Sequence, residues 1–181
     1  DKQDPPPVHT ASREIAVEAT DTGLSLVNGL YWYHGAPLDG KRILRYADGR
    51  IRAVEHYAAG REEGPWQGWY PDGHLAYRRY FHAGEKDREA CGWWPNGQLQ
   101  YVYHYRMGIY EGAFQEWYQS GHPLKSIIYL HGQAQSGKGW RDNGKPYMNF
   151  VIRDGRIYGL MNANLCYSLK DEQGNFRAVR Q

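Results

Sequence analysis

The segment Gly132-Gln133-Ala134-Gln135-Ser136-Gly137-Lys138-Gly139 carries the spacing G-x-x-x-x-G-K that opens a phosphate-binding loop. Such a loop continues with Ser or Thr, whose hydroxyl meets Mg²⁺, and then with a helix. Gly139 and Trp140 follow in strand-like order, so nucleotide binding is not expected. There is no G-x-S-x-G or H-E-x-x-H pattern, and Ser120 and Ser136 have turn or linker surroundings. Eight histidines invite a metal reading, and Cys91 and Cys166 are the only thiols. A soft pair of Cys166 and Met161 could take Cu(I). Whether such groups meet depends on the elements that carry them.

Those elements repeat. Asp/Asn/Ser-Gly steps fall at Gly49, Gly73, Gly97, Gly121 and Gly144, spaced by 24, 24, 24 and 23 residues. A second glycine follows each by 11 residues, at Gly60, Gly84, Gly108, Gly132 and Gly155. A fixed period of this length marks a repeat array. Between the glycines lie short runs rich in Tyr and Trp, which read as strands joined by tight turns. Four residues before each first glycine stand Arg45, Trp69, Trp93, Trp117 and Trp140, and three before it Tyr46, Tyr70, Trp94, Tyr118 and Arg141. Neighbouring strand residues face opposite sides, which predicts two aromatic ladders on opposite faces. The expected fold is all-β, an elongated antiparallel β-meander of repeated hairpins. At ~4.8 Å per strand, five two-strand units span about 50 Å.

That spacing constrains the candidate chemistry. His56 and His104 share a repeat position, as do His74 and His122, but each pair is two units apart, roughly 20 Å. Ligands of one ion each lie ~2 Å from it, so neither pair shares a metal. His56 and His82 lie closer but lack a third ligand. Cys91 and Cys166 are expected some 25–30 Å apart in a straight meander, too far for a disulfide. Cys91 reads as a half-buried strand residue. No catalytic set, metal site or cofactor is expected.

The net charge of +2 comes from interspersed acids and bases, without the basic face of a nucleic-acid binder. No apolar run approaches the ~18 residues of a membrane helix. Residues 1–24 read as an N-terminal arm and linker, with Asp4-Pro5-Pro6-Pro7 as a stiff stretch and Glu14 to Glu18 as an edge strand. Residues 25–159 hold one degenerate unit around Leu30 to Gly35 and five fuller ones, and 160–181 a cap and polar tail. The leader suits an exported, envelope or periplasmic protein, with a cytoplasmic setting as the alternative.

The unit G-x-W-x-x-W-Y-x-[DN]-G-x-L-x-x-x-x-x-Y-x-x-G resembles the bacterial variant of the MORN repeat, found in YwqK-type antitoxin proteins. Gly68, Trp69, Tyr70, Asp72, Gly73, Leu75, Phe81 and Gly84 carry the match in one unit. Trp93, Trp94, Asn96, Gly97, Leu99, Tyr105 and Gly108 carry it in the next, and Arg45, Arg141 and Pro146 depart from it in the end units. The resemblance implies a non-enzymatic protein-interaction or scaffold module, with an antitoxin- or immunity-like partner binder as its direct form. The aromatic surface of Trp69, Tyr70, Trp93, Trp94, Trp117, Tyr118 and Trp140 is the expected site for a partner protein or peptide. Arg78, Arg79, His104 and Arg106 are expected between those rings. The alternatives are copper handling through Cys166 and carbohydrate binding by the aromatic face.

Overall fold

A computed structural model describes residues 14–160 of the 181. The first strands are β1 (Ile15–Glu18), β2 (Leu24–Val27), β3 (Leu30–Tyr33), β4 (Ala36–Pro37), β5 (Gly40–Arg45) and β6 (Ile51–Ala58). The middle units supply β7 (Arg61–Glu62), β8 (Gly64–Trp69), β9 (Leu75–His82), β10 (Glu85–Lys86), β11 (Arg88–Trp93) and β12 (Leu99–Arg106). The last are β13 (Ile109–Trp117), β14 (Pro123–Leu130), β15 (Gln133–Trp140), β16 (Pro146–Arg153) and β17 (Arg156–Leu160). Among the described residues there is no helix, so none is long and apolar enough to cross a membrane.

From β5 onward the main sheet is a meander in sequence order, β5-β6-β8-β9-β11-β12-β13-β14-β15-β16-β17. This is the all-β hairpin array expected from the glycine spacing. At its N-terminal edge β1 pairs with β5 in parallel, Ile15 opposite Gly40. A parallel pair needs a crossover of a dozen or more residues, and the intervening chain supplies it. There the degenerate first unit departs from expectation. β2, β3 and β4 form a separate three-stranded sheet, closed by Asn28-Gly29 and His34-Gly35, whose φ values are all positive. Two such turns in so short a stretch return each strand onto its neighbour.

The two glycine series make different turns. In the first, Gly49, Gly73, Gly97, Gly121 and Gly144 have φ between +79° and +90°, while the Asp, Asn or Ser before them does not. Gly49 N–H donates to Tyr46 O at 2.9 Å and Tyr46 N–H to Arg50 O at 2.9 Å, a three-residue loop closed by a left-handed glycine. The preceding Asx side chain takes another part: Asp48, Asp72, Asn96 and Asn143 accept the N–H two residues on at 3.0–3.1 Å. The second series makes two-residue turns with both φ positive, from Ala59-Gly60 (48°, 78°) to Asp154-Gly155 (50°, 69°).

The two-residue turns stack on one another. Gly60, Gly84, Gly108 and Gly132 donate their N–H groups to Leu38, Glu62, Lys86 and Tyr110 carbonyls of the preceding unit, at 2.8–3.0 Å. The N–H groups of Ala59, Ala83, Met107 and His131 are taken by the carboxylates of Asp39, Glu63, Asp87 and Glu111. Those acids recur at intervals of 24 residues. The Ala83 N–H, and after it His82, hold the Glu63 carboxyl below its ordinary range.

The opposite edge is laced by side chains. Tyr46 and Tyr70 hydroxyls donate to Trp69 O and Trp93 O at 2.6 and 2.7 Å. Trp94 Nε1 and the Tyr118 hydroxyl donate to Trp117 O and Trp140 O, both at 3.0 Å. Each unit thus pins the next at both edges. Apolar burial collects in two places. Val17, Leu38 and Tyr57 pack near the N-terminal end, while Phe114, Ile127, Met148, Phe150 and Ile157 pack near the C-terminal end.

Candidate interaction face

Register and alternation assign the inward residues of each unit to one face. Tyr101 pairs with Gly92, Tyr103 with Ala90, and Tyr103 again with Phe114 on its other side. Tyr77, Arg79 and Phe81 share this face through the pairs Tyr77–Gly92 and Phe81–Gly64. The aromatic contacts form here. Tyr101, Tyr103 and Phe114 stack in sequence, with centroids 4.5 and 4.2 Å apart. Tyr105 stacks on Tyr110 at 4.8 Å, and Tyr110 meets Tyr129 at 5.0 Å. Burial pushes the Tyr103 and Tyr105 phenols up, aided by hydrogen bonds to Glu116 and Tyr110 respectively.

Glycine makes room for these rings. A Cβ on Gly68 would lie 2.3 Å from Tyr77 Cε1, and one on Gly92 would lie 2.1 Å from Tyr101 Cε1. Each ring therefore lies flat across a bare backbone. At the equivalent place in the next unit Glu116 faces Lys125 instead, at 3.4 Å.

The two ends of this face are occupied. At the N-terminal end Tyr31 of the small sheet meets Tyr57 edge-on at 5.0 Å and hydrogen-bonds Arg42 at 2.5 Å. Arg42 pairs with the buried Glu55 at 2.6 Å, which also accepts from Tyr57 at 3.0 Å. At the C-terminal end the five-residue core cluster fills the face. Between them lies a shallow hollow of about 590 Å³ bounded by Phe81, Glu85, Lys86, Tyr105, Met107, Ile109 and Tyr110. A smaller one, about 160 Å³, lies over Ala90 between Arg79, Lys86, Tyr101, Tyr103 and Tyr105.

The tryptophans do not stack as the ladder expectation implied. Trp69, Trp93, Trp117 and Trp140 end their strands half-buried at a register shift, opposite Leu75, Leu99, Pro123 and Pro146. Among the described residues, none of the four enters an aromatic pair, and the rings that do stack belong to other columns of the repeat. Tyr70, Trp94 and Tyr118 have their polar tips committed to the next unit's carbonyls.

The expected row of cations also divides between faces. Arg79 lies 4.5 Å over the Tyr77 ring on the tyrosine face. Arg78 and His104 lie on the other, 3.2 and 3.7 Å from Glu89, and Arg106 has the same alternation as His104. Cys91 is there too, more buried than expected at 5% exposure, its thiol 3.1 Å from Glu89. Burial, then Glu89, pushes that thiol up to about 11, which makes it a poor nucleophile. The phosphate-loop resemblance resolves into a turn at Gly132 and exposed Lys138 inside β15. Among the described residues no three His, Cys, Asp or Glu side chains gather to hold a metal ion. Cys166 and Met161, with the expected cap and tail, lie outside the described residues.

Fold and face together define an all-β array of hairpin repeats with an aromatic sheet surface. The family description "MORN repeat variant" matches residues 62–83 and 89–107, within the second and third of the five units. No curated protein matches the chain. A chain in the crystal structure of accessory secretory protein 1, 2 and 3 in Streptococcus pneumoniae aligns at 14% identity with a TM-score of 0.21. The alignment covers 69% of this chain and 19% of that one, and a likeness that loose bears on no functional question.

Proposed function

We propose that this protein is a non-enzymatic interaction module that binds a partner protein on the open middle of its tyrosine face. The observation that carries the reading is the contrast along that face, covered at both ends and hollow between them. Tyrosine and arginine at the hollow are residue types that dominate binding energy when desolvated. Met107, 73% exposed, and Ile109, 46% exposed, border the larger hollow and offer apolar surface that the described residues leave uncovered. The MORN-variant match in two units agrees with a binding rather than a catalytic role. An antitoxin- or immunity-like form, in which the bound protein is held inactive, is the finer version of this proposal and rests on the repeat resemblance; a scaffold of the cell envelope is its wider version.

The test compares retention of partner proteins on immobilised wild type, Met107→Asp/Ile109→Asp and Trp93→Ala/Trp117→Ala. Circular dichroism first establishes that both variants fold. Loss with the Met107/Ile109 variant alone is the expected result. Loss with the tryptophan variant alone would move the site to the strand ends. Equal retention by all three would overturn a role for either surface.

A further inference from the structure

The small hollow over Ala90 lies where one unit differs from those that follow it. Seven residues before the turn glycine, successive units carry Arg42, Trp66, Ala90, Phe114 and Gly137. Trp66 packs on Phe81 at 4.6 Å and Phe114 on Tyr103 at 4.2 Å. Ala90, between them, leaves that volume empty. Six residues after the glycine, later units place Tyr103, Ile127 and Phe150, but this position holds Arg79 and the unit before it the acidic Glu55. Thirteen after it they place Tyr110, Ala134 and Ile157, and here it is Lys86. Three departures from one repeat thus line a single cavity of about 160 Å³.

The cations are held without a partner charge. Arg79 rests on the Tyr77 ring, with Nη2 3.5 Å from the Tyr101 hydroxyl, and Lys86 Nζ lies 5.3 Å from the Tyr105 ring centre. Among the described residues, neither is within ion-pair distance of a carboxylate, although Arg45, Arg50 and Arg78 all are. Cations that break a repeat's local rules and are held by aromatic rings, with no carboxylate partner among the described residues, mark where a site is expected. A guanidinium fork beside an ammonium suits a carboxylate, which can accept from both. Lys86 and Tyr105 also border the larger hollow, whose lining is apolar apart from Lys86 and Glu85, so the two cavities adjoin as a trough with a cationic slot beside a mainly apolar part.

We infer that this trough binds an acidic peptide segment of the partner, seating an Asp or Glu carboxylate between Arg79 and Lys86 and an adjacent apolar side chain against Tyr105, Tyr110 and Met107. The inference rests on the proposed protein-binding role and names the chemistry of what is bound.

The experiment selects a random library of unmodified 12-residue peptides against wild type. Individual peptides are then measured by fluorescence polarisation against Arg79→Ala/Lys86→Ala, Arg79→Lys/Lys86→Arg and Ala90→Phe, each checked for native circular dichroism. Enrichment of peptides that join Asp or Glu to a large apolar residue is expected. Their affinity should fall at least tenfold with the alanine pair and with Ala90→Phe, which fills the slot and keeps both charged residues. The charge-conserving pair should retain most of it. Enriched peptides with no acidic bias, or ones that bind the alanine pair as well as wild type, would overturn the inference and leave peptide binding standing. Absence of any enriched peptide would overturn both. Binding of an oligogalacturonate in place of peptides would reassign the trough to acidic glycans.

Discussion

At the scale of single residues, two kinds of glycine have different physical reasons to be there. Gly97 has φ of +83° and nothing within 4 Å of an added Cβ, so its constraint is the backbone alone. Gly92 needs no unusual φ, but its Cβ would collide with the Tyr101 ring. Alanine at either site should destabilise the fold by about 1–3 kcal/mol, through left-handed backbone in one case and displaced packing in the other. Urea unfolding of double variants separates the causes. Adding Tyr101→Ala should relieve part of the Gly92→Ala cost and leave that of Gly97→Ala unchanged. The turn glycines were legible in the sequence because a left-handed conformation narrows the choice of residue. Gly92 and Gly68 were visible as members of the motif, but the rings that require them lie across the strand pair. Tyrosine's identity, likewise, does not say whether its ring will cover a glycine or its hydroxyl reach the next unit.

At the scale of the hairpin, the bonds between units matter as much as those within one. Tyr118→Phe removes the hydroxyl that reaches Trp140 O and keeps the ring, so a loss of about 0.5–1.5 kcal/mol is expected in urea unfolding. The acidic column gives a pH dependence. Glu63 is held below its ordinary range, so the native state favours the ionised form. Its stabilisation is present above the ordinary carboxyl value of about 4.3 and is lost as pH falls through the lower native value. Glu63→Gln should therefore unfold with a shallower acid dependence than wild type in melts run from pH 6 to pH 3. The recurrence of Asp39, Glu63, Asp87 and Glu111 could be found in the sequence by its 24-residue step. Their targets could not, since a carboxylate does not announce a backbone N–H some twenty residues on. The cavity at Ala90 had a sequence signal as well, the break in three inward columns at Arg79, Lys86 and Ala90. It becomes readable once register says which columns face inward, and the tryptophans, though more conspicuous, do not define those columns.

At the scale of the whole molecule, stability is the sum of similar units and their interfaces, as in other repeat arrays. Deleting residues 74–97 joins Gly73 to Gln98, two places with the same neighbours in sequence and turn. The shortened chain should fold to the same kind of sheet, with small-angle scattering showing a length reduced by about 10 Å. A deletion of half that length would put each strand opposite the wrong neighbour and should fail to give a cooperative melt. The stacked turns add a direction to this otherwise regular object. Every two-residue turn from Gly60 to Gly132 hands its N–H to a carbonyl in the unit before it. The side-chain bonds of Tyr46, Tyr70, Trp94 and Tyr118 reach forward instead. A chain leaving the ribosome N-terminus first would meet each backbone acceptor already built, dock the new turn, and be latched by an aromatic that was waiting for it. The array is thus polar along its length, turn donors pointing back and aromatic latches pointing forward, with the Leu38 carbonyl as its first rung.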